Sequence, residues 1–259
     1  MVIPSELRFG KAIRRVSISD IKSLIQNQID ESHNLEYKQP SSNLEKDCND
    51  LGKTISGFLN TDGGILVYGV SEKKEGKHRY PDSTKWCDVP KERLESLLKS
   101  RVQPWKETVS IKRIENKENG EEGIFVIEVP KSDSPPHMHD FIYYQRLNFQ
   151  TEPMTHQNVF RAFQTSWLRQ KDLYQNVLEP LYAEIKEDCE KINNHQHAPS
   201  HEYDNIIKVN RYLYDQIELP LRKKIEDFYR RIKGLNAWLV WTDNIAVRII
   251  NEELSTILP

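Results

Sequence analysis

The chain is short of several things at once. Its 259 residues include three cysteines, Cys48, Cys87 and Cys189, odd in number and widely spaced. No pair has metal-ligand spacing and no even set offers a disulfide framework, so a reducing cytoplasm is the expected setting. No apolar run approaches the ~20 residues that a membrane helix needs, and Met1-Val2-Ile3-Pro4-Ser5-Glu6 has no apolar signal core. Net basic charge is also missing. The total is −2, with 23 Lys and Arg against 24 Asp and Glu over residues 1–154, and 14 against 15 over 155–259. A polyanion binder usually shows net basicity, so bulk charge-driven binding is not expected, although a local basic groove is compatible with these totals. Internal repeats, low-complexity tracts and a Gly-rich phosphate loop ending in Gly-Lys-Ser/Thr are absent.

What is present is a regular succession of α and β patterns. Ser17-Ile18-Ser19-Asp20 ahead of Ile21, Leu24 and Ile25 reads as a capped helix with one apolar face. Ser32-His33-Asn34 turns the chain into a short strand, Leu35 to Lys38. A helix follows from about Leu44 to Leu59, with Leu51, Ile55 and Leu59 in i, i+4 register. Asp62-Gly63-Gly64 supplies a tight turn, and Ile65 to Val70 is apolar on both faces, as a central strand should be. A helix over Asp88 to Arg101 with Pro90 in its first turn, strands 109–114 and 124–129, and a last strand 141–146 complete the pattern. The expected fold is α+β, a mixed or antiparallel sheet with helices, over residues 1–165. Residues 166–259 read as an all-α helical hairpin or small bundle. Leu173, Val177, Leu181, Ile185, Cys189 and Ile192 form one stripe; Ile206, Val209, Leu213 and Ile217 form a second, which Pro220 interrupts. A third, more apolar run covers Trp238 to Leu258.

The chemistry concentrates near the first strand. Alternation puts Leu35 and Tyr37 on one face, Glu36 and Lys38 on the other. Glu36 beside Lys38 alone would be a surface ion pair worth under ~1 kcal/mol. Glu31 converges on Glu36 only if the backbone bends between them, and Ser32-His33-Asn34 is where a bend is expected. Two convergent carboxylates resist double ionisation unless a cation sits between them, and oxygen ligands of this kind suit Mg²⁺ or Mn²⁺. Such an ion polarises a phosphodiester, with Lys38 neutralising phosphate charge. Glu72 is the best third carboxylate; Asp62, in a turn, reads as structural. Arg146 joins Lys38 as an expected phosphate contact. His137-Met138-His139 reads as a solvated loop in preference to a proton shuttle, and one of Tyr143 and Tyr144 should be core.

The ordered pieces Glu31-Ser32, Leu35-Glu36-Tyr37-Lys38, Asn60-Thr61-Asp62-Gly63-Gly64, Gly69-Val70, Tyr143-Tyr144-Gln145-Arg146 and Thr151-Glu152-Pro153-Met154 resemble the Schlafen AlbA-like domain family. The resemblance spans roughly residues 18–165. It implies an AlbA/Schlafen-like fold, nucleic-acid binding to RNA or DNA and, in one branch, cleavage of RNA by a divalent-metal endoribonuclease. Carried over position by position, the metal-binding acids of that branch are Glu31 and Glu36, plus an aspartate just after Gly-Val. Here Ser71-Glu72 stands in that place. Glu72 replaces the ligand if it belongs in the second position, and Ser71 removes it if it belongs in the first. The family's zinc site has no counterpart. The alternative reading is a non-catalytic DNA-binding regulator or assembly subunit, which the balanced charge and Ser71 favour. A homodimer or protein partner is expected to use the C-terminal helices, where Trp238 and Trp241 suggest burial.

Overall fold

A computed structural model describes residues 3–76, 78–194, 201–215, 217 and 219–238. The chain divides into two compact units, Met1–Ser166 and Trp167–Pro259.

The first unit is built on a four-stranded sheet in the order β1-β2-β7-β6. Strands β1 (Leu35–Lys38) and β2 (Gly63–Tyr68) run parallel, with Glu36 opposite Leu66 and Lys38 opposite Tyr68. Strand β7 (Gly123–Pro130) is antiparallel to both β2 and β6 (Ser110–Glu115). The sheet is therefore mixed, and both its faces are covered. On one face lie α3 (Leu44–Leu59) and α4 (Lys91–Arg101), packing Leu51, Ile55, Phe58, Leu59, Leu94 and Leu98 against Leu66, Tyr68, Phe125 and Ile127. On the other, α2 (Ile18–Gln26) and a 3-10 turn (Ile13–Arg15) bury Ile21 and Leu24 against Leu35, Tyr37, Val67 and Val126. The short α1 (Pro4–Phe9) is tied to β7, because the Ser5 amide donates to Glu128 Oε1 at 2.7 Å.

The capping chemistry expected for α2 is present: Asp20 Oδ2 accepts from the Ser17 amide at 2.7 Å. Asn43 Oδ1 caps α3 by accepting from the Lys46 amide. Pro90 stands outside α4 as its extended N-cap, so that helix starts three residues later than the sequence pattern suggests.

Three differences from the sequence pattern matter for the site. The strand expected over 65–70 stops at Tyr68. Gly69 (φ 121°) lies against Ile124 and turns the chain into a separate two-stranded ribbon, β3 (Val70–Glu75) with β4 (His78–Thr84). Then β9 (Ile142–Leu147) belongs to a second four-stranded sheet, in the order β10-β9-β8-β5, with β5 (Val102–Gln103), β8 (Met138–His139) and β10 (Gln150–Pro153). Finally, His137 and His139 are fully buried, not solvated. The His137 ring lies between the Pro104 carbonyl (2.7 Å) and Ser132 Oγ (2.6 Å), and His139 Nε2 lies 2.9 Å from Asn49 Oδ1. Burial lowers the pKa of both imidazoles.

Asn60, at the end of α3, ties that helix to the second sheet. Its Oδ1 accepts from the His137 amide, while its Nδ2 donates to the carbonyls of His137 and Tyr144 at 2.7 Å each. Tyr144 is the core member of the Tyr143-Tyr144 pair; Tyr143 meets the edge of Phe163 on α5 (His156–Leu173).

In the second unit, a π-helical turn (Tyr174–Leu178), α6 (Glu179–Asn193), α7 (His201–Val209), α8 (Arg211–Tyr214) and α9 (Leu219–Trp238) gather Val177, Leu181, Ile185, Ile207, Tyr214 and Phe228 into one core. The first expected stripe is thus buried through Ile185; the side chains of Cys189 and Ile192 fall outside the described residues. The second stripe is corrected: Val209 is 81% exposed and Ile207 takes the core position. Pro220 opens α9 and does not interrupt a helix. The run to Leu258, with Trp241, lies outside the described residues.

Gly63 has φ 75°, and a Cβ there would stand 2.5 Å from the Val129 carbonyl oxygen; Gly120 has open space around it. Gly63→Ala is therefore expected to cost about 2–3 kcal/mol, measured as a fall in the urea midpoint, with Gly120→Ala close to neutral.

Candidate functional site

The bend expected between Glu31 and Glu36 is a tight one. Ser32 and Leu35 bridge each other, amide to carbonyl in both directions, and Ser32 Oγ donates to Asn34 Oδ1 at 2.8 Å. This returns Glu31 to the end of β1, where its Oε1 accepts from the Tyr37 amide at 3.2 Å. The Glu31 amide donates to the Arg79 carbonyl of β4, which fixes the ribbon beside the strand.

Glu36 leaves β1 on the α3 face and is buried, with both carboxylate oxygens engaged. Lys38 Nζ lies 2.6 Å from Oε1, and Arg146 donates to Oε2 at 2.7 Å. Arg146 reaches this point from β9, where its neighbours hold it on several sides. It also donates to Thr151 Oγ1 (2.9 Å) and the Ser32 carbonyl (2.8 Å), and its guanidinium carbon lies 4.9 Å from the Phe58 ring centroid. With its side chain 1% exposed, Arg146 touches no external phosphate in this arrangement. Its role differs from the expected phosphate contact: it holds Glu36 and the Ser32 turn in place.

Glu72, on the ribbon, stands 3.7 Å from Lys38 Nζ and 3.8 Å from Arg79. Ser71 points elsewhere, with its hydroxyl 2.7 Å from Ser83 Oγ across the ribbon. Of the two residues after Gly69-Val70, Glu72 is thus the one that joins Glu31 and Glu36. Asp62 is exposed and paired with Lys131, 69 residues away in sequence. The sequence pattern offered no signal for Arg79 or Phe58, and it placed Thr151 in a motif without a role, since each enters through a strand pairing or helix face formed at long range.

The electrostatics follow from this packing. Burial, then the charges of Glu36 and Glu72, push the Glu31 carboxyl up to about 7, against the pull of the Tyr37 amide and Lys38. Its Oε2 is buried without a hydrogen bond. Burial also raises Glu72, with Lys38 and Arg79 opposing and Glu36 reinforcing. For Lys38, burial acts against the charged form, but the carboxylates of Glu36, Glu72 and Glu31 together outweigh it and hold the ammonium above its usual pKa.

Three acids therefore face three bases, Lys38, Arg79 and Arg146. Among the described residues no group of three or more His, Cys, Asp and Glu side chains is placed to hold a metal ion. The donor set does not fit a resident divalent cation as it stands, because a protein cation already faces each oxygen of Glu36.

Comparison with known proteins adds a family. Residues 31–155 match the family model described as Schlafen, AlbA_2. No curated protein matches the chain. Among solved structures, a Corynebacterium diphtheriae protein is 13% identical over 53% of this chain, with a TM-score of 0.37, and the match spans 29% of that protein's length. The N-terminal domain of an ATP-dependent DNA helicase RecG-related protein from Nitrosomonas europaea is 20% identical, over 46% of this chain and 75% of that one, with a TM-score of 0.32.

Arg146→Met is expected to destabilise the protein by about 3–5 kcal/mol by stranding a buried carboxylate. Adding Glu36→Gln should restore part of that loss, a coupling visible in a denaturation double-mutant cycle. Glu31 sets a pH dependence. Its folded pKa of about 7 exceeds the ordinary carboxylate value of 4.5, so the native state holds the extra proton in between. Stability contributed by this group is full below about pH 4.5 and declines as pH rises to about 7. Glu31→Gln should remove that decline and raise stability at pH 8 by on the order of 1–3 kcal/mol, read from thermal melts across pH.

Proposed function

Taking residues 31–155 as a Schlafen AlbA_2 domain, we propose that this protein binds nucleic acid, with RNA or single-stranded DNA as the preferred class. The observation that carries the reading is that family match, whose motif residues meet in one cluster. Glu31 and Glu36 meet through the Ser32 turn, Arg146 arrives from β9, and Glu72 from the ribbon. Lys38, 26% exposed at its side chain, and Arg79, 40% exposed, are the cations of the cluster open to an incoming phosphate. Arg146 serves by holding the frame on which that contact is presented.

A second reading, a Mg²⁺- or Mn²⁺-dependent endoribonuclease, is favoured by one feature. Glu31 Oε2 is buried with no hydrogen bond, close enough to Glu36 and Glu72 for their charges to raise its pKa. For that chemistry Glu36 has to exchange Lys38 or Arg146 for the metal, and Glu31, Glu36 and Glu72 would then form the ligand set. Two further parts of the proposal concern surroundings. No described helix is long and apolar enough to cross a membrane, and buried free Cys48 and Cys87 suit a reducing cytoplasm. The C-terminal helices would supply self-association or a protein contact.

The test is fluorescence anisotropy with labelled RNA, single-stranded DNA and duplex DNA, followed by gel analysis of the same RNA with Mn²⁺ or chelator. The expected outcome is binding that survives the chelator and weakens as salt rises. No binding to any of the three would overturn the proposal. Mn²⁺-dependent cutting that disappears in Glu31→Gln and Glu72→Gln would establish the second reading.

A further inference from the structure

A domain with 23 cations against 24 anions over residues 1–154 attracts a polyanion only where cations stand without partners. The acidic cluster is not such a place, since Lys38, Arg79 and Arg146 are each set against Glu36 or Glu72. The opposite edge of the main sheet is different. There the 3-10 turn Ile13–Arg15 is seated on the core by Ile13 and Val16, and closed by hydrogen bonds from the Arg15 amide to Ala12 and the Val16 amide to Ile13. Lys112, on edge strand β6, locks the turn by donating from Nζ to the Arg14 carbonyl at 2.6 Å.

The turn therefore presents Arg14 and Arg15 on a fixed backbone. Both are exposed, and neither side chain has a hydrogen bond or ion pair among the described residues. Lys11 stands beside them, 2.8 Å from Asp20. Burial lowers the pKa of Lys112, with the nearby Asp20 opposing the fall and Lys11 adding to it. Four cations and one acid here contrast with three of each in the cluster.

The two places are also separate. Lys112 shares its sheet face with Ile114 and the α2 side of the core, whereas Glu36 and Lys38 project from β1 toward α3. Three strand steps divide β1 from β6, roughly 14 Å at ~4.8 Å per step.

We propose that the unpartnered Arg14 and Arg15, flanked by Lys11 and Lys112, form the main phosphate-contacting surface for the nucleic acid. This inference rests on the nucleic-acid reading above and moves the principal backbone contact away from Lys38. Its ligand is a phosphodiester backbone met as charge, independent of base sequence.

The experiment compares the full chain with the Arg14→Gln/Arg15→Gln variant, titrating labelled RNA between about 50 and 200 mM salt. Losing two phosphate contacts should weaken binding about 10- to 30-fold near 0.1 M salt. It should also lower the slope of log K against log salt by about 1.4, at ~0.7 counterion per contact on a single strand. The Arg14→Lys/Arg15→Lys variant should recover most of the affinity, which separates lost charge from a damaged fold.

If the full chain binds RNA and the Gln variant binds it equally, with the same slope, this inference fails and the nucleic-acid reading stands. If the full chain binds no nucleic acid, both fail. Vesicles containing phosphatidylserine form the control arm. Vesicle binding that the Gln variant loses while its RNA affinity is intact would assign the patch to a membrane surface and overturn the proposal.

Discussion

The first unit turns on one buried ion pair. Glu36 comes from the first strand and Arg146 from a strand 110 residues later, and neither side chain is appreciably exposed. Removing both charges from water is costly, and the hydrogen bonds around the pair offset that cost although Arg146 Nε is buried without a partner. Glu36 has a cation at each oxygen, while the guanidinium spends its hydrogen bonds on Glu36, Thr151 and the Ser32 carbonyl and lays its face near Phe58. Each of those contacts belongs to a different element. The pair therefore fixes the Ser32 turn, the end of α3 and the β9-β10 hairpin relative to β1. Asn60, at the end of α3, bonds the backbone on either side of β9's start and reinforces the same junction.

That constraint decides what the acidic residues are able to do. Three carboxylates gathered in a half-dry corner repel one another, and the repulsion is resolved in two ways. Glu36 and Glu72 are set against protein cations, whereas Glu31, with only an amide for company, is pushed up to about 7, and Glu72 rises as well. The cluster is consequently close to neutral, which explains how an acid-rich corner is stable in a domain without net positive charge. It also directs attention to cations elsewhere that no acid neutralises. The exposed Arg14 and Arg15 are such cations, and the core beneath the turn and the Lys112 bond hold their backbone still.

Local sequence made a good deal of this legible. The helix over 44–59, the positive φ of Gly63 at the entry to β2 and the apolar central strand follow from periodicity and from glycine's conformational freedom, although the strand starts at Gly63 where a Gly63-Gly64 turn is expected. The bend at Ser32-His33-Asn34 follows from the tendency of small polar side chains to bond nearby backbone. The histidines of 137–139 were not legible, because a loop's burial depends on what folds over it. Here the Asn60 side chain and the Pro104 carbonyl do so from distant positions in sequence. The second stripe of the helical unit drifted by a position, since helix phase beyond a break is set by packing and not by spacing.

By itself, then, the sequence determined which residues carry charge near the first strand, where a bend that brings Glu31 to Glu36 is expected, and that the region is α+β followed by helices. Those are consequences of side-chain chemistry acting over a few residues. Only the tertiary structure decided that Arg146 is sealed inside, that Glu72 and not Ser71 faces the cluster, and that Arg14 and Arg15 are left without partners. Each depends on which strands pair across tens of residues, and on whether water or another charge occupies the space around a group once they have.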